Sequence, residues 1–305
     1  MAEIRPFETG DADAAAALLS SVFAPPTVIG PTAVLHWAAS SPERAQARVW
    51  VAHVERRIVG WADAQLKWSS ADEGLTEVWV AVHREHRGRG IGRRLSGLAE
   101  EHALALGARQ IRSFAREDEP DSLAFAERRG YREARRERSW CLDLRAAAPQ
   151  PPADPAGFRV VRLGELRDRV HELFELYALT DADMPSDYEH RLEFDEWRRE
   201  TWENPRLDFE LSAAVLAEEH PVAFAWITAD RETKQGENEM TGTHPAYRGR
   251  GLARLAKEAT IAWAAEAGLG YLLTSNDSTN AAMLALNERL GYEPRPATIE
   301  LAKDV

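Results

Sequence analysis

Two short runs of arginine and glycine have the composition of a phosphate-binding loop. The first is Arg87-Gly88-Arg89-Gly90-Ile91-Gly92, and the second is Arg248-Gly249-Arg250-Gly251-Leu252-Ala253. Each follows a strand-like run and precedes a run with helical periodicity. The start of a helix presents unpaired N–H groups and a partial positive charge, and glycine places no side chain over them. Each run therefore predicts a site for a pyrophosphate, to which the arginines add charge-assisted contacts.

A single run of this kind is ambiguous, because glycine-rich turns also occur in dinucleotide-binding folds, in nucleic-acid tracts and in solvated loops. The repetition favours a structural unit. Arg248 follows Arg87 by 161 positions, and the same spacing separates Gly268 from Gly107. The sequence Glu-Arg-Arg-Gly-Tyr at 127–131 likewise returns as Glu-Arg-Leu-Gly-Tyr at 288–292. The chain therefore contains an internal duplication, and each half is predicted to run strand, phosphate loop, helix, strand, helix.

The chain length agrees with this duplication, because 305 residues suggest two domains of about 150 residues each. The predicted boundaries are 1–145 for the N-terminal domain, 146–156 for a proline-rich linker and 157–305 for the C-terminal domain. Proline disfavours both helix and sheet, which suits an extended connector. In the second half, the acidic and aromatic stretch from Tyr188 to Trp202 is predicted to be helical.

The charge of the chain is unevenly distributed. Residues 1–145 contain 21 Lys and Arg against 21 Asp and Glu, so the net charge of −12 arises in the second half. An acidic half argues against nucleic acid and favours a cationic small acceptor, although acidic residues also keep a surface soluble. No apolar run approaches the ~18–20 residues of a membrane span, and the N-terminus lacks the pattern of a signal peptide. The single cysteine, Cys141, is predicted to be a buried strand thiol, and a cytoplasmic protein is the economical interpretation.

Both halves resemble the GCN5-related N-acetyltransferase (GNAT) family, whose signature is Arg/Gln-x-x-Gly-x-Gly/Ala after its fourth strand. Three residues of each half fit this signature: Arg87, Gly90 and Gly92, and Arg248, Gly251 and Ala253. The second half is also similar to the two-domain, mycothiol-synthase-like members of the family. The resemblance covers nearly the whole chain and implies an α/β fold with a mixed α+β sheet. It implies two tandem acyl-CoA N-acyltransferase domains, each with a central, mostly antiparallel sheet flanked by helices.

The resemblance implies acetyl-CoA (coenzyme A) as the cofactor. A bulge in the fourth strand near Met240 and Thr241 would direct backbone groups to the pantetheine arm and one N–H to the acyl oxygen. Asn280 lies where family members often have a helix-start asparagine that contacts pantetheine, and this role is favoured over helix capping alone. Turn chemistry explains Asn276 as well as cofactor contact does. The cofactor-binding residues expected on this basis are Met240, Thr241, Thr243, Arg248, Gly249, Arg250, Gly251, Leu252, Ala253, Asn276 and Asn280, with Val80, Val82, Arg87, Gly88, Arg89, Gly90, Ile91 and Gly92 in the first half.

The same reaction requires a base, because a free alkylamine has a pKa of about 10.4 and arrives protonated. Glu237 and Glu239 flank Asn238 on the fourth strand, where family members often carry a carboxylate base. Strand alternation places both carboxylates on one face. Glu239 is nearer the expected bulge and is the first candidate, with Glu237 second; a solvated carboxylate at a strand edge is the alternative.

The general acid departs from the family pattern, in which a tyrosine lies four residues before the glycine of the Gly-aromatic turn. Asn287 occupies this place in the second half and Ala126 in the first. Either the thiolate leaves without help, or another hydroxyl such as Tyr292 or Tyr247 acts as the acid. The nine histidines are scattered, and no metal site is predicted.

The two halves also differ where the second has Asn280-Ala281 and the first has Glu119-Pro120. Glu119 would bring negative charge to the cofactor side, and Pro120 lacks a backbone donor. We therefore expect the C-terminal domain to catalyse, with the N-terminal domain a degenerate scaffold whose binding of coenzyme A is left open.

The leading hypothesis is an acyltransferase that transfers acetyl from acetyl-CoA to a primary amine of a small, cationic acceptor. The alternatives are a non-catalytic acyl-CoA-binding sensor and an acetyltransferase of protein N-termini or lysines. The expected partners are a small-molecule amine but no nucleic acid and no membrane, with the chain a monomer or homodimer.

Overall fold

The structure, a computed structural model, describes residues 2–146 and 149–305, which form two compact units. Unit 1 comprises the residues up to Glu137, Asp187–Arg191 and Pro296–Val305; unit 2 comprises Arg138–Ser186 and Leu192–Arg295. Of the predicted linker, residues 147 and 148 lie outside the described part, and 149–156 contains neither helix nor strand. Within the described residues, no helix combines the length and apolar character that a membrane span needs.

Unit 1 is built on a sheet with helices on both faces. All of its strand pairs are antiparallel except β4 with β5, which is parallel. The elements of the first half are β1 (Glu3–Pro6), α1 (Ala12–Val22), α2 (Pro31–Ala39), β2 (Arg48–Val54), β3 (Arg57–Leu66), β4 (Leu75–Val82), α3 (Ile91–Ala105), β5 (Gln110–Arg116), α4 (Pro120–Glu127) and β6 (Arg132–Asp143).

Unit 2 repeats this plan, with β10 and β11 as its parallel pair. Short 3-10 turns precede the helices of both halves, at Arg84–His86 and at Pro245–Tyr247. The elements of the second half are β7 (Arg159–Arg162), α5 (Val170–Asp181), α6 (Phe194–Trp197), β8 (Ala213–Ala217), β9 (His220–Asp230), β10 (Gln235–Thr243), α7 (Leu252–Glu266), β11 (Tyr271–Asp277), α8 (Ala281–Arg289) and β12 (Glu293–Asp304).

The last strand of each sequence half pairs with strands of the other half. The strand order in unit 1 is β1-β2-β3-β4-β5-β12, in which β12 ends the second half of the sequence. Its residues Thr298–Asp304 pair antiparallel with Gln110–Arg116 of β5. The order in unit 2 is β6-β11-β10-β9-β8-β7, in which β6 ends the first half and contributes its residues Arg138–Asp143 to this unit. The predicted boundaries 1–145 and 157–305 therefore remain a prediction about the duplicated sequence, and the compact units differ from them within these two strands and at Asp187–Arg191.

Each sheet has an apolar core on both faces. In unit 2, Ala256 and Ala259 of α7 pack with Ala223 and Ala225 of β9 on one face. The other face of β9 carries Trp226, which packs with an aromatic cluster that covers this side. The members of that cluster in ring contact include Phe174, Tyr177, Phe194, Trp197, Trp202, Phe224 and Trp226. The small alanine side chains allow α7 to lie close to the sheet, whereas large aromatic side chains fill the space over the other face.

The helical prediction for 188–202 is wrong in its first part. Only α6 and a π-helical turn at Arg198–Trp202 are helical there. Asp187–Arg191 joins unit 1 as an extended segment, in which His190 forms a β-bridge with Ser70 and Glu189 O accepts from Ala71 N at 2.8 Å. These backbone bonds to a distant segment outweigh the local helical pattern.

Candidate active site

The two arginine–glycine runs form the predicted turns at the starts of α3 and α7. Gly90 and Gly251 are the N-cap residues, with φ angles of 79° and 77°. These left-handed conformations favour glycine, and neither cap has a side chain over the amides of the first turn. Leu252 and Ile91 are buried, so only their backbone is available to a ligand. Both helix starts therefore keep the geometry expected for a pyrophosphate site.

The loop arginines anchor each loop to the strand before it. Arg248 Nε donates to Thr243 O at 3.2 Å, and Arg87 Nε donates to Val82 O at 3.1 Å. The Arg248 guanidinium also forms an ion pair with Asp183, and the Arg250 guanidinium lies 5.2 Å from the Tyr247 ring centroid. Contacts from these arginines to a phosphate remain a prediction.

A gap opens between the parallel strands of each unit. In unit 2, pairing of β10 with β11 ends at Glu237 and Leu273, although both strands continue. Thr274 Oγ1 donates to Asn238 O at 2.9 Å at the start of this gap. In unit 1, pairing of β4 with β5 ends in the same way, at Glu77 and Arg112. The separated strands expose backbone groups along one edge of each gap, as binding of an extended arm requires.

A β-bulge interrupts β10 in unit 2. Asn238 pairs with Ile227 and Met240 with Trp226, so Glu239 is the inserted residue. The bulge lies one residue before the predicted position near Met240 and Thr241. In unit 1, β4 pairs with β3 without interruption from Thr76 to Val82. The two units therefore share the gap but not the bulge.

The bulge also changes which residues correspond between the units. Glu77 pairs with Gln65 and Arg112, while Glu237 pairs with Thr228 and Leu273 in the equivalent places. Glu77 therefore corresponds to Glu237, although the sequence spacing aligns it with Asn238. Glu77 Oε1 is engaged by Lys67 Nζ at 2.6 Å.

Both candidate bases lie on one face of the sheet in unit 2. Thr228 is the cross-strand neighbour of Glu237, and its Oγ1 donates to Glu239 Oε1 at 2.7 Å. Thr228 shares its face of β9 with Trp226, so the carboxylates lie on the aromatic side. Glu239 is exposed, and Glu237 is half-buried. An exposed carboxylate at the bulge is placed to accept a proton, directly or through water.

The backbone of β10 alternates between its two neighbours. His244 N donates to Val222 O at 2.8 Å, so the backbone of His244 faces β9. Alternation then turns the backbone groups of Thr241 and Thr243 toward the gap, and those of Met240 toward β9. Thr243 Oγ1 is buried and has no hydrogen-bond partner among the described residues. Unused polar groups at this strand end fit a polar arm such as pantetheine.

In unit 1 the corresponding strand has a similar arrangement, but a carboxylate lies beside the loop that follows it. His83 N donates to Val59 O at 2.9 Å, so alternation turns Val80 and Val82 toward the gap. Glu119 lies beside this loop and forms ion pairs with Arg87 at 2.6 Å and Arg84 at 2.5 Å. Burial alone would raise the pKa of Glu119, and the hydrogen bonds from both arginines hold that pKa below its ordinary value. A phosphate at this loop would compete with a carboxylate already present.

Asn280 replaces that glutamate in unit 2 and caps α8, because its Oδ1 accepts from Met283 N at 3.2 Å. Its contact with the cofactor stays a prediction. Asn276, the other predicted asparagine, accepts at Oδ1 from Asn287 Nδ2 at 2.7 Å. Asn287 Oδ1 in turn accepts from Lys257 Nζ at 2.9 Å. Lys257 lies in the middle of α7, and the helical periodicity of the sequence carries no signal of this contact.

Tyr292 and Tyr247, the two tyrosines considered as general acids, lie in different surroundings from each other. Tyr292 is buried, its hydroxyl has no hydrogen-bond partner among the described residues, and burial raises its pKa. The ring of Tyr247 packs against Phe158. Cys141 is buried, as predicted, and burial raises the pKa of its thiol. Asn287 is fully buried and cannot protonate a thiolate.

One group in the described residues brings three metal-ligand side chains together, at the 3-10 turn of unit 1. The ligand atoms of His83, Glu85 and His86 lie within 4.8 Å of one another. Two features disfavour a metal there: His83 Nδ1 accepts from Glu85 N at 3.4 Å, and Arg57 lies 3.5 Å from His83 Nε2. The positive guanidinium would repel a cation.

Comparisons with known proteins agree with this geometry. The acetyltransferase (GNAT) family profile matches residues 18–131 and 171–292. Mycothiol acetyltransferase from Nocardia farcinica is 31% identical over 227 residues, which cover 73% of each protein. Mycothiol acetyltransferase from Amycolatopsis mediterranei is 28% identical over 272 residues, which cover 83% of each.

Two solved structures show the same fold. A tandem GNAT protein from the clavulanic acid biosynthesis pathway superposes with a TM-score of 0.75 at 20% identity, covering 100% of this chain and 98% of that one. A GCN5-related N-acetyltransferase from Sphaerobacter thermophilus gives a TM-score of 0.74 at 20% identity, covering 99% and 95%.

These findings confirm the predicted fold class, with two GNAT domains and a mixed sheet. They also confirm acetyl-CoA as the acyl donor and acetyl transfer to an amine as the reaction. With one glycine-rich loop and one split sheet in each of two matched regions, the chain belongs to the acetyltransferase (GNAT) family, as a tandem-domain acyltransferase.

Proposed function

We propose that unit 2 acetylates a primary amine of a small, cationic acceptor, with Glu239 as the general base. The observation that carries the proposal is the bulge at Glu239, directly after β10 and β11 separate. Unit 1 has the gap without the bulge, and its equivalent glutamate is paired with a lysine. The bulge supports catalysis in unit 2 because it exposes a carboxylate beside the backbone that lines the gap.

In this proposal the first-turn amides of α7 hold the pyrophosphate of acetyl-CoA, and the outward backbone groups of Thr241 and Thr243 hold the pantetheine arm. Acetyl-CoA supplies a thioester carbonyl to the amine. Glu239 removes one proton from the ammonium, and the neutral amine attacks the carbonyl carbon to form the N–C bond and a tetrahedral oxyanion. The C–S bond then breaks, the electron pair leaves on sulfur, and the second amine proton passes to the thiolate or to solvent. A backbone N–H near the bulge stabilises the oxyanion. Thiolate is a tolerable leaving group, which is consistent with the absence of the family tyrosine at Asn287.

The cationic character of the acceptor rests on Glu237, Glu239 and the aromatic cluster on their side of the sheet. Aromatic faces and carboxylates both attract ammonium groups. Asp183 and Asp187, two further carboxylates, are ion-paired with Arg248 and Arg112. The names of the relatives, mycothiol acetyltransferases, support a small-molecule acceptor. A cytoplasmic location, no binding of nucleic acid, and a monomer or homodimer belong to the same proposal.

A second candidate is a non-catalytic sensor of acyl-CoA. The buried amide of Asn287 in place of a tyrosine favours it, because no phenol is present there to protonate the thiolate. A sensor would bind acetyl-CoA without releasing its thiol.

The test is thiol release from acetyl-CoA with a panel of small amines, amino sugars and lysine peptides. We expect turnover with small amines, and Glu239→Gln should lower kcat by about 100-fold, the ordinary contribution of a general base. Arg248→Ala and Arg87→Ala form a matched pair, because both residues anchor their loops through the same bond. Loss of turnover in Arg87→Ala alone would place catalysis in unit 1. Binding of acetyl-CoA without turnover by any amine would support the sensor.

A further inference from the structure

The hydrogen-bond chain of Lys257, Asn287 and Asn276 has a fixed direction. A protonated lysine has donors only, so Asn287 must turn its Oδ1 toward Lys257 and its amide N–H groups toward Asn276. Asn276 must then turn its Oδ1 inward, where it accepts from Asn287 Nδ2. The Nδ2 of Asn276 consequently points outward, as a donor.

The chain runs from the interior of unit 2 to the edge of the gap. Lys257 and Asn287 are both 0% exposed, whereas Asn276 is half-buried. Asn276 lies on β11 three residues beyond Leu273, the last residue that pairs with β10. It is therefore on the β11 side of the gap, opposite the strand that carries Thr241. Lys257 belongs to the helix whose first turn is the proposed pyrophosphate site.

Burying this lysine is costly, and the fold does not require it. Burial lowers the pKa of Lys257 to about 7, and no carboxylate contributes to that shift. The titratable group that faces it is Tyr292, whose ring centroid lies 5.1 Å from Nζ, and Cys141 interacts electrostatically with that tyrosine. The aligned residues of unit 1 are Ser96, Ala126 and Ala115, so an equivalent unit forms without the chain. A costly polar feature present only in the proposed catalytic unit indicates a role in ligand binding.

We propose that Asn276 donates a hydrogen bond from Nδ2 to the pantetheine–thioester arm of acetyl-CoA, and that Lys257 and Asn287 are positioning residues that hold this amide in its outward orientation. The inference rests on the proposed function. It adds one residue that binds the pantetheine arm, rather than the phosphates, and two residues that orient it.

The test compares acetyl-CoA with 3′,5′-ADP, which carries phosphates but no arm, by calorimetry on the full chain at about pH 6.5, where a group with pKa about 7 is mostly protonated. Asn276→Ala should weaken acetyl-CoA binding by about 10-fold, the effect of one hydrogen bond, and leave 3′,5′-ADP unchanged. Asn204→Ala is the matched control, because Asn204 is a half-buried asparagine of unit 2 whose side-chain Oδ1 accepts from the nearby backbone N–H of Arg206.

The variant Asn287→Asp distinguishes a positioning role of Asn287 from a purely structural one. A carboxylate would pair with Lys257 and raise the melting temperature, but it cannot donate to Asn276. Asn276 would then rotate, presenting oxygen instead of nitrogen to the arm. We expect a more stable protein with about 10-fold weaker acetyl-CoA binding and unchanged 3′,5′-ADP binding.

Two outcomes overturn the inference: wild-type acetyl-CoA affinity in Asn276→Ala, or a stabilised Asn287→Asp that binds acetyl-CoA as the wild type does. The Asn276 variant remains decisive if the Asn287 variant fails to fold, because its side chain lies at the surface of the gap. A wild-type protein that binds neither ligand would instead contradict the proposed function itself.

Discussion

Replacing Lys257 by methionine tests whether an uncompensated charge lies inside unit 2. The lysine is fully buried, its amine donates to the neutral amide of Asn287, and burial lowers its pKa from 10.5 to about 7. Methionine has a similar length and no charge, so it can occupy the same space. We expect Lys257→Met to be more stable than the wild type near neutral pH.

The magnitude follows from proton linkage. Because the pKa is lower in the folded than in the unfolded state, the unfolded chain binds more protons between pH 7 and pH 10.5. Wild-type stability therefore rises with pH through that window and is lost as pH falls toward 7. Each pH unit corresponds to about 1.4 kcal/mol, so from about pH 7.5 to about pH 9 the wild type should gain about 2 kcal/mol relative to Lys257→Met.

Urea unfolding of both proteins at the two pH values measures this difference, and titrations common to both cancel. Lys303→Met is the control, because Lys303 lies over the ring of Tyr131 in unit 1 but pairs with Glu100 at 2.8 Å. Its removal breaks an ion pair and should destabilise the protein, the opposite sign. A stability difference between wild type and Lys257→Met that does not change with pH would refute the reasoning.

The other predictions concern the first loop and the glycines. Glu119→Ala frees the guanidinium of Arg87, so calorimetry should show about 10-fold tighter binding of coenzyme A at unit 1 and a stoichiometry nearer two per chain; an unchanged titration would contradict the blocking role of the carboxylate. Gly97→Ala should raise stability by about 0.5–1 kcal/mol in thermal melts, because Gly97 lies within α3 and an added Cβ meets no atom within 4 Å. Gly251→Ala should lower stability by about 1 kcal/mol, because its φ of 77° strains any side chain; equal effects of the two alanines would contradict the assignment of the cap.

The site in unit 2 shows where prediction from sequence succeeded and where it stopped. The loop at 248–253 and the helix after it were predictable, because glycine positions and helical periodicity are local features of the chain. The family resemblance predicted the bulge, but one residue beyond the position at which it occurs. A bulge is defined by two strands together, and the pairing of Asn238 and Met240 with β9 cannot be deduced from β10 alone.

The sequence by itself determined the duplication, the two glycine-rich turns before α3 and α7, the buried Cys141 and the family. These depend on residue type and on spacing along the chain. Only the tertiary structure decided the exchange of β6 and β12, the bulge at Glu239 and the chain from Lys257 to Asn276. Each of these depends on contacts between residues far apart in sequence, whose energies outweigh local preference and leave no local pattern.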